Sequence, residues 1–117
     1  MFKWNSKKQL IAVLTITMAG CSATQPTSQG AQVEIVAEKP ADCRVLGEVV
    51  GSQGNVFSGD FTSNENLMVG ARNDLRNKAA ALGANTVQVQ QSLNATHPYS
   101  AGAVKTTLVG TAYSCPR

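Results

Sequence analysis

At 117 residues the chain has room for one domain. The formal net charge is +3, but Lys3, Lys7 and Lys8 lie in the first twenty positions, and the remainder holds seven basic and seven acidic residues. A near-neutral domain lacks the basic surface on which nucleic-acid binding depends, so nucleic acid is not an expected partner.

The first 21 residues have the order of an export signal. The three lysines precede an apolar run from Leu10 to Ala19, which is followed by Gly20 and Cys21. A positive segment, a short apolar core and small residues before a cut are typical of a signal peptide. The run is shorter than the roughly 20 apolar residues that span a bilayer.

The four residues Met18-Ala19-Gly20-Cys21 resemble the lipobox of bacterial lipoproteins. That resemblance implies removal of residues 1–20, a diacylglycerol on the Cys21 thiol and acylation of the new amino terminus. An ordinary signal peptide with an incidental cysteine is the alternative. In lipoproteins, a residue other than Asp after the cysteine usually implies sorting to the outer membrane, and here it is Ser22. We expect a lipid-anchored domain that faces the periplasm, with no cofactor beyond this lipid.

Residues 21–32 form the lipidated N-terminus and a stretch of small polar residues without periodicity. This composition predicts a flexible tether with a reach of at most roughly 40 Å, so a single domain is expected over residues 33–117. Residues 33–38 nearly alternate between apolar and polar and predict a first strand, which Pro40 stops. Residues 43–51 predict a second strand, and 52–62 a loop rich in Gly, Ser and Asn.

A helix is the clearest predicted element. Thr62 and Glu65 have the spacing of a capping box, and Gly83 can take the left-handed conformation that ends a helix. Between them, apolar residues recur at helical spacing, namely Leu67, Met68, Ala71, Leu75, Ala79 and Leu82. Polar residues line the opposite side, which we expect to face solvent, namely Arg72, Asn73, Arg76 and Asn77.

Two more strands follow the helix. Residues 84–90 alternate strictly, 92–103 form a second loop, and 104–115 predict the last strand. The order β-β-α-β-β predicts an α+β fold, in which one amphipathic helix packs on one face of a small sheet. The alternation within the strands indicates that only one face of the sheet is covered.

Cys43 and Cys115 remain once Cys21 is assigned to the lipid. An even pair in an exported domain predicts a disulfide, because the periplasm is oxidising. A metal site with His97 is a weaker alternative, since no paired spacing such as C-x-x-C is present and the chain has one histidine. A Cys-His nucleophile would need one thiol to be free.

No arrangement of residues predicts a catalytic site or a metal site. Phe57 and Phe61 are candidates for a partner-binding tip, although aromatic residues in such a loop more often pack onto the sheet. Arg72 and Arg76, one turn apart, are candidates for contact with a phosphate or a peptidoglycan carboxylate, although a solvated helix face explains them more simply. His97 is a candidate ligand contact in the second loop.

Three segments together resemble a known family, namely residues 43–51, 70–87 and 109–116, with the sequences CRVLGEVVG, GARNDLRNKAAALGANTV and VGTAYSCP. With the lipobox, they resemble the YjeI-type lipoproteins, an uncharacterised family of short envelope proteins. More distantly the chain is similar to the signalling domain of RcsF, an outer-membrane lipoprotein that reports envelope damage. RcsF has four cysteines and a long basic tether, whereas this domain has two cysteines and a short uncharged one. The resemblance implies fold and location, since the family has no assigned activity.

Two classes of function remain at this stage. The first is a non-enzymatic interaction module or envelope-stress-related module, whose partner is an envelope protein or peptidoglycan. The second is a small ligand-binding protein or hydrolase that uses the loops at 52–62 and 93–103. A pocket with convergent polar groups in those loops would favour the second class.

Overall fold

The structure, a computed structural model, describes residues 23–54, 63–96 and 103–117. Its sheet and helix are β1 (Glu34–Val36), β2 (Arg44–Gly54), α1 (Asn64–Ala81), β3 (Thr86–Thr96) and β4 (Ala103–Ser114). The predicted α+β class is confirmed, because four strands form one mixed sheet and a single helix packs on it.

The strands lie in the order β1-β3-β4-β2. β4 pairs antiparallel with both β2 and β3, whereas β1 pairs in parallel with β3. Because β1 and β2 lie at opposite edges, residues 37–43 connect one edge of the sheet to the other. Tyr113 and Thr86, which alternate with core residues and so point away from the helix, are also buried.

The core lies between α1 and the sheet. The helix presents Leu67, Ala71, Leu75 and Ala79 from successive turns, and all four are fully buried. Gly51 of β2 lets the helix come this close, because a Cβ there would lie 2.5 Å from the Ala71 carbonyl oxygen. The sheet side of the core is built from small and branched side chains, namely Val49, Val87, Leu108 and Ala112.

The ends of α1 differ slightly from the prediction. The N-cap is Ser63, whose side-chain oxygen accepts a hydrogen bond from the Asn66 amide at 3.1 Å. The predicted cap, Thr62, lies outside the described residues, so the helix begins one residue later than the capping box suggested. At the other end Gly83 has φ +84°, which is the left-handed conformation expected of it.

Three strand lengths required correction. β2 extends to Gly54, so residues 52–54, predicted to be loop, are strand. β3 extends to Thr96, so residues 92–96, also predicted to be loop, are strand as well. Polar residues dominate this stretch and gave no burial pattern, but pairing with β4 supplies its backbone hydrogen bonds. β1 is only three residues long, half of the predicted 33–38, and it pairs with residues 86–88 of β3 alone.

The largest difference concerns residues 23–32, which were expected to be a free tether. Asn77 Oδ1 accepts from the Thr27 amide at 2.8 Å, and Asn73 Nδ2 donates to the Thr24 carbonyl at 2.9 Å. The Thr24 amide also donates to Gln53 Oε1 at 2.9 Å. Residues 23–33, here called the strap, therefore lie across the outer side of the helix. The expectation of a solvated face at Asn73 and Asn77 was wrong, because their amides bind this backbone.

Candidate functional site

The two cysteines of the domain form a disulfide. Cys43 and Cys115 are bonded, with 4.4 Å between their Cα atoms. Arg44 lies opposite Ser114 in the antiparallel pair, so the two cysteines come next on adjacent strands and face each other. This confirms the predicted pairing. Both sulfur atoms are therefore engaged, and neither serves as a thiol in this state.

Asn85 holds the same end of the sheet and was missed by the sequence analysis. Its side-chain amide donates to the Cys115 carbonyl at 2.8 Å, and its Oδ1 accepts from the Cys115 amide at 2.9 Å. Its own carbonyl accepts from the Glu34 amide at 3.0 Å, where β1 begins. A single asparagine in a turn does not predict this role from the sequence, because its partners Cys115 and Glu34 lie 30 and 51 positions away.

Several predicted site residues lie outside the described residues. These are Cys21, Phe57, Phe61 and His97. Within the described part of the chain, no helix is long and apolar enough to span a membrane. The same part contains no cluster of three or more His, Cys, Asp or Glu side chains that could hold a metal ion.

A groove of about 400 Å³ lies between α1 and the β1 edge of the sheet. It exists because α1 packs over β2 and β4, whereas β1 stops after three residues and leaves the neighbouring part of β3 uncovered. Apolar side chains dominate its walls, and Arg72 and Ser92 are the polar ones. The lining residues are Ile35, Val36, Ala37, Met68, Arg72, Val89, Ser92 and Leu108.

The structure separates the two arginines that the sequence placed on one face. Arg72 is exposed and lines the groove. Arg76 is half-buried, and its guanidinium donates to the Val33 carbonyl at 3.3 Å and to Asn73 Oδ1 at 3.0 Å, so it supports the strap. Burial, and then the charge of Arg72, lower the pKa of Arg76 below its ordinary value.

Neither guanidinium has a carboxylate within salt-bridge distance among the described residues. The ion pair recorded among those residues joins Asp74 and Lys78, at 3.1 Å. Arg72 thus places a positive charge at the rim of an apolar groove without a partner to neutralise it. Such a rim suits an anionic group attached to an apolar body. The described lining residues include no nucleophile paired with a base and no pair of carboxylates.

The groove was not predicted. The sequence placed Met68 on the apolar side of the helix and Arg72 on the opposite side, and both line the groove. What the sequence did not reveal is the length of β1 and its place at the edge of the sheet. Because β1 is short and lies at the edge, the side of the core beyond Val36 is left uncovered.

Known proteins resemble this chain along most of its length. Residues 24–115 match the family model described as "Domain of unknown function (DUF4156)". The protein named "Uncharacterized protein YjeI" of Escherichia coli strain K12 is 38% identical over 103 residues, which cover 86% of this chain and 88% of that one. The proteins of the same name from E. coli O6:H1 and Shigella flexneri match equally.

The family match begins at residue 24, so it includes the strap as well as the sheet and helix. The recognition of a YjeI-type family from three short segments is confirmed. This chain belongs to the DUF4156 family of proteins of unknown function.

Proposed function

We propose that the mature protein is an outer-membrane lipoprotein, anchored through Cys21, that binds another envelope component through the groove and turns over no substrate. The observation that carries this proposal is the Arg72 guanidinium at the rim of the apolar groove, which has no carboxylate partner among residues 23–54, 63–96 and 103–117. A binding site of this kind selects a partner by shape and charge without any reacting group.

The strap supports the anchored part of the proposal. Thr24 is fixed to Gln53 at the end of β2 and to Asn73 on the helix. A lipid on Cys21 would therefore lie within about 10 Å of the domain, since three residues span no more than that. The domain would be held next to the membrane surface instead of ranging over roughly 40 Å. Confinement of this kind raises the effective concentration of partners in the same layer and lets a weak contact suffice.

The second class of function, a ligand-binding protein or hydrolase that uses the 52–62 and 93–103 loops, rests on residues that lie largely outside the described ranges. No observation on the described residues favours it. The groove lies beside β1 and the middle of β3.

Site-specific photo-crosslinking in intact cells tests the proposal. A photoreactive residue at position 68, which lines the groove, is compared with one at position 69, which is exposed on the same helix and does not line it. We expect a discrete adduct from position 68, weakened at least fivefold by Arg72→Glu and unaffected by Arg44→Glu at the far end of β2. Cys21→Ser should release the protein from the membrane fraction and reduce the adduct. The same adducts from both positions, or no effect of Arg72→Glu, would contradict binding at the groove.

A further inference from the structure

The free edge of β3 carries an inference about what binds at the groove. β1 pairs with Thr86, Val87 and Gln88, and within the described residues no strand lies beside the rest of β3 on that side. Residues 90–96 are all exposed. The register with β4 shifts between Val89 and Gln91 and again between Ala95 and Thr96, so 91–95 form a regular stretch between two irregularities.

The direction of the backbone groups along this stretch follows from the pairing. The Ser52 amide donates to Asp74 Oδ2 at 2.8 Å, so the backbone N–H and C=O groups of Ser52 point away from its partner Thr107 on β4. Residues of an antiparallel strand bond to alternate sides. The backbone groups of Thr107 therefore form hydrogen bonds with β3, where Leu93 lies opposite. The backbone groups of Ser92 and Asn94, on either side of Leu93, then point to the free edge.

The two edges of the sheet differ in the features that protect them from pairing with another strand. β2 carries Arg44 and Glu48, and its Ser52 amide is bound by Asp74. Residues 86–96 contain no charged residue and no proline, which are the features that usually protect an exposed edge from pairing. An unprotected edge with free backbone groups is a template for an added strand.

The free edge and the groove are adjacent, since Ser92 belongs to both. A strand added beside residues 91–95 would continue the line of β1 and direct alternate side chains toward the helix side of the sheet. There they would meet the apolar walls and Arg72. An apolar side chain and an acidic one, two residues apart, match those two environments.

We propose that the occupant is an extended segment of another envelope protein, which adds to β3 as a strand and places an acidic side chain at Arg72. The inference rests on the proposed function and names the chemistry of its partner. A second copy of this chain fits less well, because its own uncharged β3 edge brings no carboxylate to Arg72.

The test uses the mature lipoprotein in detergent micelles and a defined peptide probe, the fluorescein-labelled amide Thr-Val-Thr-Glu-Thr-Val-Thr. In an extended conformation this peptide presents Val, Glu and Val on one side. A matched peptide carries Lys in place of Glu. We expect the Glu peptide to bind at least fivefold more tightly in fluorescence polarisation, and we expect Arg72→Glu to reverse this preference.

Two substitutions at one position test strand addition itself. Ser92→Pro removes the amide that faces the free edge but leaves the bonds of Leu93 to β4, whereas Ser92→Ala keeps the amide. We expect Ser92→Pro to weaken binding at least tenfold and Ser92→Ala to weaken it less than twofold. Circular dichroism with an unchanged melting temperature shows that the proline variant is folded, and Asn94→Pro replaces it if that variant is not.

The outcomes separate the two proposals. Binding that depends on Arg72 but survives loss of the Ser92 and Asn94 amides would overturn strand addition and leave the groove as a binding site. Equal affinity for both peptides would overturn the acidic partner. A concentration-dependent dimer in analytical ultracentrifugation, lost in Ser92→Pro, would assign the edge to a second copy instead. Failure of the position-68 crosslink in cells would remove the proposed function on which the inference rests.

Discussion

The two ends of the sheet are built in opposite ways. At one end, here called the stapled end, the Cys43–Cys115 disulfide joins β2 to β4, and Asn85 binds both Cys115 and the start of β1. At the other, here called the open end, β3 runs past β1 with a free edge. The stapled end uses its polar groups to bind its own backbone, whereas the open end leaves the backbone amides of Ser92 and Asn94 and the Arg72 guanidinium unpaired within the described residues. This difference places the main stabilising contacts at one end and the proposed binding site at the other.

The strap adds to this comparison, because it crosses from one side of the helix to the other. Its Thr24 amide donates to Gln53, near the end of β2, and its Gly30 packs against α1, where a Cβ would clash with the Asn77 side chain. The polar face of α1 is thus used to hold the N-terminal segment. The Asn73 and Asn77 amides suit this role, because an amide side chain can both donate to and accept from a backbone.

The largest expected effect comes from opening the stapled end. Replacing both Cys43 and Cys115 by Ser should lower the free energy of unfolding by about 4 kcal/mol, because the bridge closes a long loop in the unfolded chain. Their separation in the sequence is 72 residues. Urea denaturation of the purified protein measures this loss. Cys21→Ser is the matched control and should leave the unfolding midpoint unchanged; a loss below 1 kcal/mol in the double variant would show that the stapled end does not depend on the bridge.

A smaller effect is expected from releasing the strap. Asn77→Ala removes the bonds to the Thr27 amide and the Gln25 carbonyl, the second at 3.1 Å. Two partly exposed hydrogen bonds are worth about 1–2 kcal/mol together. Spin labels at position 25 and on the helix at position 69 should show a broader distance distribution in this variant. Asn66→Ala is the control, because toward the described residues Asn66 donates only its backbone amide, to Ser63, and its side chain makes no hydrogen bond with them. An unchanged distribution in Asn77→Ala would mean that the strap is held by other contacts.

The sequence predicted most of the fold and little of the site. Periodicity identified α1 and the alternating strands, and the even pair of cysteines identified the disulfide, because each signal is local or rests on the redox state of the compartment. The strap was missed, since small polar residues look alike whether they are free or bound to Asn73 and Asn77. The groove was missed because it results from strand order, which no local pattern encodes. Arg72 was named as a candidate, but the sequence could not separate it from Arg76.

The contrast between the two ends is tested most directly by amide hydrogen exchange in the mature protein without a ligand. Within β3, the Leu93 amide bonds to β4, whereas those of Ser92 and Asn94 face the free edge. We expect Leu93 to exchange at least tenfold more slowly than both neighbours, and we expect the acidic peptide to slow Ser92 and Asn94 alone. Slow exchange at Ser92 and Asn94 in the free protein would contradict the account, because the edge of β3 would then already be paired.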